Sequence, residues 1–316
     1  MSGPVLVRLR HKANDLQPLA HGPPRVAPYE SDAVVSAPLE IMEAAGAGSV
    51  QEVVTPGAGS LHVRLWDPPT ANPEAVLVLL HGVVSHSEWL APVAYRLAAA
   101  GYRVVCPDRR GVALSSNRGS AGLTATRLRT DVRAVSEVFR IEGVPLHLGG
   151  FCWGATQAID VLSSGTLEVA SFIMIAPSIF PAPDIGAAEL TVGDSPEPTE
   201  PPSVPLDRFT DGPAYNDYIL PDPLRARRVS PQFNQLLVDT NRFLAPRWAK
   251  LTFPALMIQA TRDRLADTEK HSRAFRSVRA RPRRERWVEG GHGVQFDAPD
   301  STADEIRAWL GRQRIA

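Results

Sequence analysis

The sequence predicts an α/β fold, a mostly parallel sheet flanked by helices and interrupted by an inserted lid. From about residue 51 onward, short apolar runs alternate with segments whose apolar residues recur at helical spacing. Such alternation is typical of parallel strands joined by right-handed helical crossovers. The segment 179–250 breaks the alternation, and an insertion of this length inside an α/β domain is usually a lid or cap.

The chain divides into three predicted parts: an N-terminal arm at 1–49, a core at 50–178 and 251–316, and the lid at 179–250. The arm is rich in proline and lacks sustained periodicity, so no long helix is expected there. Strands are predicted, in order, at 51–55, 61–66, 75–80, 102–106, 145–151, 170–176, 255–259 and 284–288. Helices are predicted at 88–100, 126–139, 155–162, 268–278 and 301–310. The first two strands flank a glycine-rich turn and therefore predict a hairpin.

Charge and cysteine content exclude several classes of protein. The 316 residues carry 34 basic and 34 acidic side chains, and a net charge of zero argues against general binding to nucleic acids or membrane surfaces. Two cysteines are too few for a disulfide framework, and Cys106, on a predicted buried strand, is interpreted as structural. No apolar run reaches membrane-spanning length, and the N-terminus shows no signal peptide. We therefore predict a cytoplasmic protein without a cofactor or a metal.

The other cysteine occupies a tight turn between a predicted strand and a predicted helix. In Gly150-Phe151-Cys152-Trp153-Gly154, a glycine lies two residues to either side of the cysteine. Such a turn imposes strained backbone angles on its central residue, and a Cβ at either flank would clash. The N–H groups of the following helix favour a thiolate and any oxyanion formed beside it. A buried structural thiol is the alternative, but it does not need the two glycines.

This strand–turn–helix resembles the G-x-S-x-G nucleophile elbow of the α/β-hydrolase family, with cysteine in place of serine, as in the members with a cysteine nucleophile. Two further segments resemble that family. They are His81-Gly82, after a predicted strand, and Asp108 to Ser115, which is similar to D-x-R-G-x-G-x-S except at Ala113. The resemblance covers roughly 51–311, leaves the lid unmatched, and implies the α/β-hydrolase fold.

The family places its acid and its histidine after the nucleophile in chain order. Asp263 and His292 each follow a predicted strand, so the resemblance implies a Cys152–His292–Asp263 triad. Side chains at the carboxyl ends of parallel strands can converge on one crevice. Asp267, one helical turn further on, is the alternative acid, or else it caps the helix that follows.

Backbone N–H groups complete the implied site. By resemblance, the oxyanion hole uses the N–H of Trp153, directly after the nucleophile, and that of Val83, after the His81-Gly82 pair. His81 and His86 are expected to support this loop rather than to take part in the chemistry.

A cysteine nucleophile makes the covalent intermediate a thioester, which amines and thiols attack readily and water attacks comparatively poorly. We therefore expect an acyl-transfer enzyme acting on an ester, a thioester or a lactone, with hydrolysis and transfer to another acceptor equally open. One alternative is a protein that binds small molecules on the same scaffold without turnover. Another is a polymerising acyltransferase similar to polyhydroxyalkanoate synthases, which also have a cysteine at such an elbow.

Several arginines cluster near the C-terminal end of the sequence. They are Arg273, Arg276, Arg279, Arg281, Arg283, Arg284 and Arg286. The plain interpretation is a solvated helix face and loop. The alternative is a docking site for coenzyme A or an acidic acyl-carrier protein that carries the acyl substrate.

Overall fold

The computed structural model describes residues 7–8, 38–55, 59–115, 123–185, 204–248 and 251–313. Strands within these ranges form one sheet. They are β1 (Val7–Arg8), β2 (Ser49–Val54), β3 (Ser60–Trp66), β4 (Val76–Leu80), β5 (Arg103–Pro107), β6 (Leu146–Phe151), β7 (Ser171–Ile175), β8 (Ala255–Ala260) and β9 (Arg283–Val288). Their order is β1-β2-β3-β5-β4-β6-β7-β8-β9. In this order, the neighbours β1–β2, β2–β3 and β3–β5 pair antiparallel. All the remaining neighbours, from β5–β4 to β8–β9, pair parallel.

Helices pack on both faces of this sheet. They are α1 (Leu39–Gly46), α2 (Ala91–Ala99), α3 (Ala125–Phe139), α4 (Trp153–Ser163), α5 (Pro213–Ile219), α6 (Pro231–Leu244), α7 (Thr268–Ser277), α8 (Val294–Asp297) and α9 (Pro299–Gln313). Short 3-10 turns at Ser87–Leu90 and Leu206–Arg208 precede α2 and α5. Within the described ranges, no helix has the length and apolar character needed to cross a membrane.

The central strands are buried on both faces, as parallel strands between helices must be. Successive side chains of a strand point to opposite faces. In β4, Leu77 and Leu79 accordingly join one apolar core, while Val76, Val78 and Leu80 join the other. The predicted α/β-hydrolase fold is thus confirmed, and every predicted strand is present within one or two residues.

The helices show where sequence periodicity was insufficient. The helix predicted at 88–100 begins as a 3-10 turn before it becomes α2. The sequence did not predict α1, α5, α6 or α8 as helices. Three of these, α1, α5 and α8, are too short for a clear period of 3.6. The N-cap of α6 became evident only in the structure, where the Ser230 hydroxyl accepts from the Phe233 N–H at 3.0 Å.

The predicted arm and lid are only partly within the described residues, and their boundaries stay predictions. Residues 1–6 and 9–37 of the arm and 186–203 and 249–250 of the lid lie outside them. The last part of the arm packs on the core, because Ile41 and Ala44 of α1 are buried and the Ala44 carbonyl accepts from Trp66 Nε1 at 2.7 Å. The described part of the lid contains α5 and α6.

Candidate active site

Cys152 lies between β6 and α4 with φ 56° and ψ −124°. A residue other than glycine rarely adopts a positive φ, so this conformation is strained and must be held by its surroundings. The Cys152 N–H donates to the Ile175 carbonyl at 2.9 Å, which fixes the turn to the end of β7. The turn therefore presents one side chain at the carboxyl edge of the sheet, where ligands bind in open α/β folds.

The two glycines of the elbow are required by space. A Cβ on Gly150 would lie 2.1 Å from the Gly154 carbonyl group, and a Cβ on Gly154 would lie 2.2 Å from the Leu80 oxygen. Both distances are far below van der Waals contact, and the opposing atoms are backbone, which cannot rotate away. The predicted clash at either flank of Cys152 is confirmed.

His292 and Asp263 form a buried pair beside the elbow. His292 Nδ1 donates to Asp263 Oδ2 at 2.8 Å, and Asp263 Oδ1 accepts from the N–H groups of Leu265 and Ala266 at 2.9 Å each. Since Asp263 holds Nδ1, the other ring nitrogen, Nε2, faces the Cys152 thiol. Nε2 has no nitrogen or oxygen partner within the described residues.

The alternative acid, Asp267, has another role. Its carboxylate accepts from the Lys270 N–H at 2.8 Å and so caps α7. Asp263 and Asp267 both follow β8 closely, but only Asp263 turns toward His292. The structure thus brings Cys152, His292 and Asp263 together in the predicted combination.

Charges around the thiol favour an ion pair. Burial by itself raises the pKa of the Cys152 thiol, but the charge of His292 and contacts with His292, the Ser178 hydroxyl and the Trp153 N–H outweigh it and lower the pKa. Burial by itself lowers the pKa of His292, but the charges of Asp263 and Cys152 outweigh burial and raise the pKa overall. The site therefore favours a thiolate beside an imidazolium.

The loop after β4 approaches the thiol closely. A Cβ on Gly82 would lie 3.0 Å from Cys152 Cβ and 3.3 Å from Sγ, so a side chain at this position would crowd the thiol. His81 Nδ1 contacts the Gly82 carbonyl at 2.9 Å, and this histidine therefore supports the loop as predicted. His86 lies further along the loop and pairs with Asp222 of the lid at 2.8 Å.

The lid covers the site in this structure. Phe209 packs against the His292 ring at 5.5 Å, and Phe233 of α6 packs against Trp153 at 5.6 Å. As a result, Cys152 is only 5% exposed and His292 is fully buried. A small molecule could reach the thiol only if this segment moved.

Several polar contacts hold the lid in that position. Asp222 accepts from both His86 and Trp89 Nε1, and the Ala226 N–H donates to the Val84 carbonyl at 2.9 Å. Burial would lower the pKa of His86, but the charge of Asp222 raises it overall. The lid is thus attached to the same loop that approaches Cys152.

Two residues beside the thiol were missed from the sequence. Ser178 follows β7 and contacts Cys152, and Arg109 follows β5 and stacks on Trp153. Both positions lie at the carboxyl ends of strands, which is the signal that could have identified them. Within the described residues, no group of three or more histidine, cysteine or acidic side chains is arranged to hold a metal.

Much of the arginine cluster makes local contacts. Arg273 pairs with Glu269 at 3.0 Å, and Arg286 pairs with Glu305 at 3.0 Å. Arg281 and Arg283 both donate to the Val278 carbonyl. These contacts favour the interpretation as a solvated helix face and loop.

Comparison with known proteins agrees with the fold. Residues 71–298 match the sequence profile of the family described as Hydrolase_4, serine aminopeptidase, S33. An uncharacterised abhydrolase domain-containing protein of Dictyostelium discoideum is 28% identical over 148 residues, which are 46% of this chain and 16% of that protein. The chain therefore spans about a sixth of the length of that relative.

Three solved structures are similar in fold. A soluble variant of monoglyceride lipase from Saccharomyces cerevisiae, in complex with a substrate analogue, has a TM-score of 0.73 and 18% identity, covering 91% of this chain and 99% of that one. Monoacylglycerol lipase of Paleococcus ferrophilus has a TM-score of 0.69 and 17% identity, covering 80% of this chain and 99% of that one. A thioesterase domain from the curacin biosynthetic pathway has a TM-score of 0.62 and 19% identity, covering 82% of this chain and 99% of that one.

Proposed function

The chain belongs to the Hydrolase_4 family, serine aminopeptidase S33, whose members are α/β-hydrolase-type enzymes, and we propose that it catalyses acyl transfer through Cys152. The observation that carries the proposal is a strained cysteine at the elbow, facing a histidine that is held by a buried aspartate. The proposed substrate is an ester, a thioester or a lactone. The family description names a serine enzyme, so the cysteine is the point at which this chain departs from it.

In the proposed mechanism, His292 takes the proton of Cys152, and Asp263 holds the imidazole in the required orientation. The thiolate attacks the acyl carbonyl carbon and forms an S–C bond, while the carbonyl π-electrons move onto oxygen. The N–H groups of Val83 and Trp153 stabilise that oxyanion. When the carbonyl reforms, the bond to the alcohol or thiol leaving group breaks, and His292 gives that group its proton.

The second half of the reaction resolves the acyl-cysteine. His292 deprotonates the acceptor, the acceptor attacks the thioester carbonyl, and the Cys152 thiolate departs. With water as the acceptor the product is a carboxylic acid, and with an amine, alcohol or thiol it is a new acyl compound. The monoacylglycerol lipases and the thioesterase domain above support an ester or thioester as the donor.

Intact mass spectrometry tests the proposal directly. The protein is mixed with p-nitrophenyl butyrate and quenched in acid, and we expect one added butyryl group, mapped by peptide analysis to Cys152. Cys152→Ala, checked for an unchanged melting temperature, is expected to show none. A wild-type chain that forms no acyl-enzyme with this ester or with butyryl-coenzyme A would favour the non-catalytic binding protein.

A serine variant separates hydrolysis from transfer. Cys152→Ser replaces the thioester intermediate by an ester, which removes the advantage of amine and thiol acceptors over water. If the protein is an acyltransferase, this variant keeps hydrolysis of p-nitrophenyl butyrate but loses transfer to an added amine or thiol. Equal loss of both activities supports a hydrolase.

We also propose that the acyl group is carried on coenzyme A or an acyl-carrier protein, with Arg276 and Arg279 as the contacts. Both arginines lie in the basic cluster and carry charge that can pair with phosphate. Arg276→Glu with Arg279→Glu is expected to raise KM for butyryl-coenzyme A and to leave KM for p-nitrophenyl butyrate unchanged. If the variant has the same KM as the wild type for butyryl-coenzyme A as well as for p-nitrophenyl butyrate, this part of the proposal is overturned.

A further inference from the structure

Arg109 is a buried charge that the triad mechanism does not use. It follows Asp108 in the loop after β5 and is 5% exposed. Within the described part of the chain its guanidinium has no carboxylate partner, and its Nε has no hydrogen-bonding partner. Burial lowers the pKa of Arg109 to about 9, so the group still carries its charge at neutral pH. Burying a charge is costly, and the charges of Cys152 and Asp108 offset only part of that cost here.

The guanidinium binds the loop that approaches the nucleophile. Arg109 Nη1 donates to the Gly82 carbonyl at 3.0 Å, and Nη2 donates to the Val83 carbonyl at 2.7 Å. The Gly82 carbonyl and the Val83 N–H belong to one planar peptide unit. Because that unit is rigid, a donor that fixes the Gly82 oxygen also fixes the direction of the Val83 N–H, the proposed oxyanion donor.

His81 acts on the same carbonyl. The Arg109 backbone N–H donates to His81 Nε2 at 2.8 Å, which leaves the imidazole proton on Nδ1. Nδ1 then donates to the Gly82 oxygen at 2.9 Å. Burial lowers the pKa of His81 to about 3, so the imidazole stays neutral and this tautomer persists at neutral pH. Residue 109 therefore holds the Gly82–Val83 peptide through both its side chain and its backbone.

The guanidinium also packs on the other half of the proposed oxyanion hole. Its central carbon lies 5.3 Å from the ring centroid of Trp153 and 4.9 Å from that of Phe233 in the lid. The backbone N–H of Trp153 is the second proposed oxyanion donor. Both distances are within the range of cation–π attraction. One side chain therefore contacts the Val83 peptide, the Trp153 ring and the closed lid.

We propose that Arg109 is a positioning residue of the oxyanion hole, which sets the Val83 N–H against the acyl oxygen and is itself held by Trp153 and Phe233. This inference rests on the proposed acyl transfer. Lysine cannot replace it fully, because a single ammonium does not reproduce the two-pronged contact with adjacent carbonyls.

Two reactions of the same thiol separate this role from others. Acylation by p-nitrophenyl butyrate passes through an oxyanion, whereas alkylation by iodoacetamide does not. Because the Arg109 charge also acts on Cys152, both rates are measured above the pH at which the thiol of each variant is ionised. There we expect the acylation rate of Arg109→Met to fall about 100-fold, comparable to the loss of an oxyanion donor, and the alkylation rate to change less than about threefold. The acylation rate of Arg109→Lys is expected to fall only roughly 10-fold, because the retained charge partly replaces the guanidinium.

The neighbouring arginine offers a matched control. Arg110 is equally buried, but its guanidinium pairs with the Asp131 carboxylate. Replacement of both partners, as Arg110→Met with Asp131→Leu, removes a buried guanidinium without leaving a lone charge. This control is expected to keep the wild-type ratio of acylation to alkylation, and the melting temperature of each variant separates loss of folding from loss of function.

The amide resonance of Val83 provides a readout that does not depend on activity. We expect its chemical shift to move in Arg109→Met and Arg109→Lys and to stay in place in the control. Equal losses of acylation and alkylation, or an unmoved Val83 resonance, would overturn the positioning role while leaving acyl transfer intact. Absence of the acyl-enzyme in the wild-type protein would overturn both.

Discussion

Cys106 and Cys152 lie near the same carboxyl edge of one sheet, on strands separated only by β4. Cys106 is within β5, fully buried, and burial together with the nearby charge of Asp108 raises the pKa of its thiol far above the ordinary value. Cys152 lies just beyond the end of β6, where His292, Ser178 and the Trp153 N–H lower the pKa.

The difference shows that burial alone does not decide the chemistry of a thiol. Both thiols are buried. A thiol inside a strand faces packed side chains, while a thiol on the turn after a strand faces a helix N-terminus and the side chains from neighbouring strand ends. Reactivity follows from these partners, and each of the following experiments removes one of them or compares the two thiols directly.

The largest effect is expected from a matched pair of alanine variants. Cys152→Ala should lower turnover of p-nitrophenyl butyrate on the order of 10⁴-fold or more, because the covalent intermediate cannot form. Cys106→Ala should leave turnover within about twofold and cost only packing free energy. Steady-state kinetics and thermal unfolding of both variants check this contrast, and similar losses in the two would contradict it.

The aspartates after β8 give the next contrast. Asp263→Asn is expected to lower kcat about 10³- to 10⁴-fold, because an amide can no longer hold His292 in the required tautomer. Asp267→Asn should change kcat little, since asparagine caps a helix as well as aspartate does. Loss of activity in the second variant but not in the first would assign the acid to Asp267.

The pH dependence of alkylation compares the two thiols directly. Because the pKa of Cys152 is lowered, its reaction with iodoacetamide should persist at neutral pH and be lost only as the pH falls through that lowered pKa. His292→Asn removes the positive partner, so the inflection should move upward by about 2 pH units. Cys106, with a raised pKa and no exposure, should stay unmodified until the protein unfolds.

The smallest effect is expected at Ser178. Its hydroxyl contacts Cys152 and favours the thiolate, so Ser178→Ala should raise the inflection of the alkylation profile by less than about one pH unit. Acylation measured well above the inflection should then be nearly unchanged. A profile that coincides with the wild type would show that this contact does not act on the thiol.

The features predictable from the sequence are those that local patterns encode. Buried strands appear as continuous apolar runs, and the elbow appears as two glycines around Cys152, since neighbouring backbone leaves no space for a Cβ. The order of Cys152, Asp263 and His292 along the chain is also a sequence property. These patterns predicted the fold, and they named the three side chains that the structure brings together.

Tertiary structure decided what depends on contacts between distant segments. The sequence favours Asp263 as the acid but leaves Asp267 as an alternative, and only the packing of the loop after β8 turns one to His292 and the other to α7. The contacts of Arg109 and Ser178 were hidden because each meets Cys152 or its loop across strands. The sequence alone therefore determined the elbow and pointed to Cys152, His292 and Asp263 as the proposed triad. The surroundings that set the pKa of the Cys152 thiol arose only from folding, which brings charges from separate strands within a few ångströms.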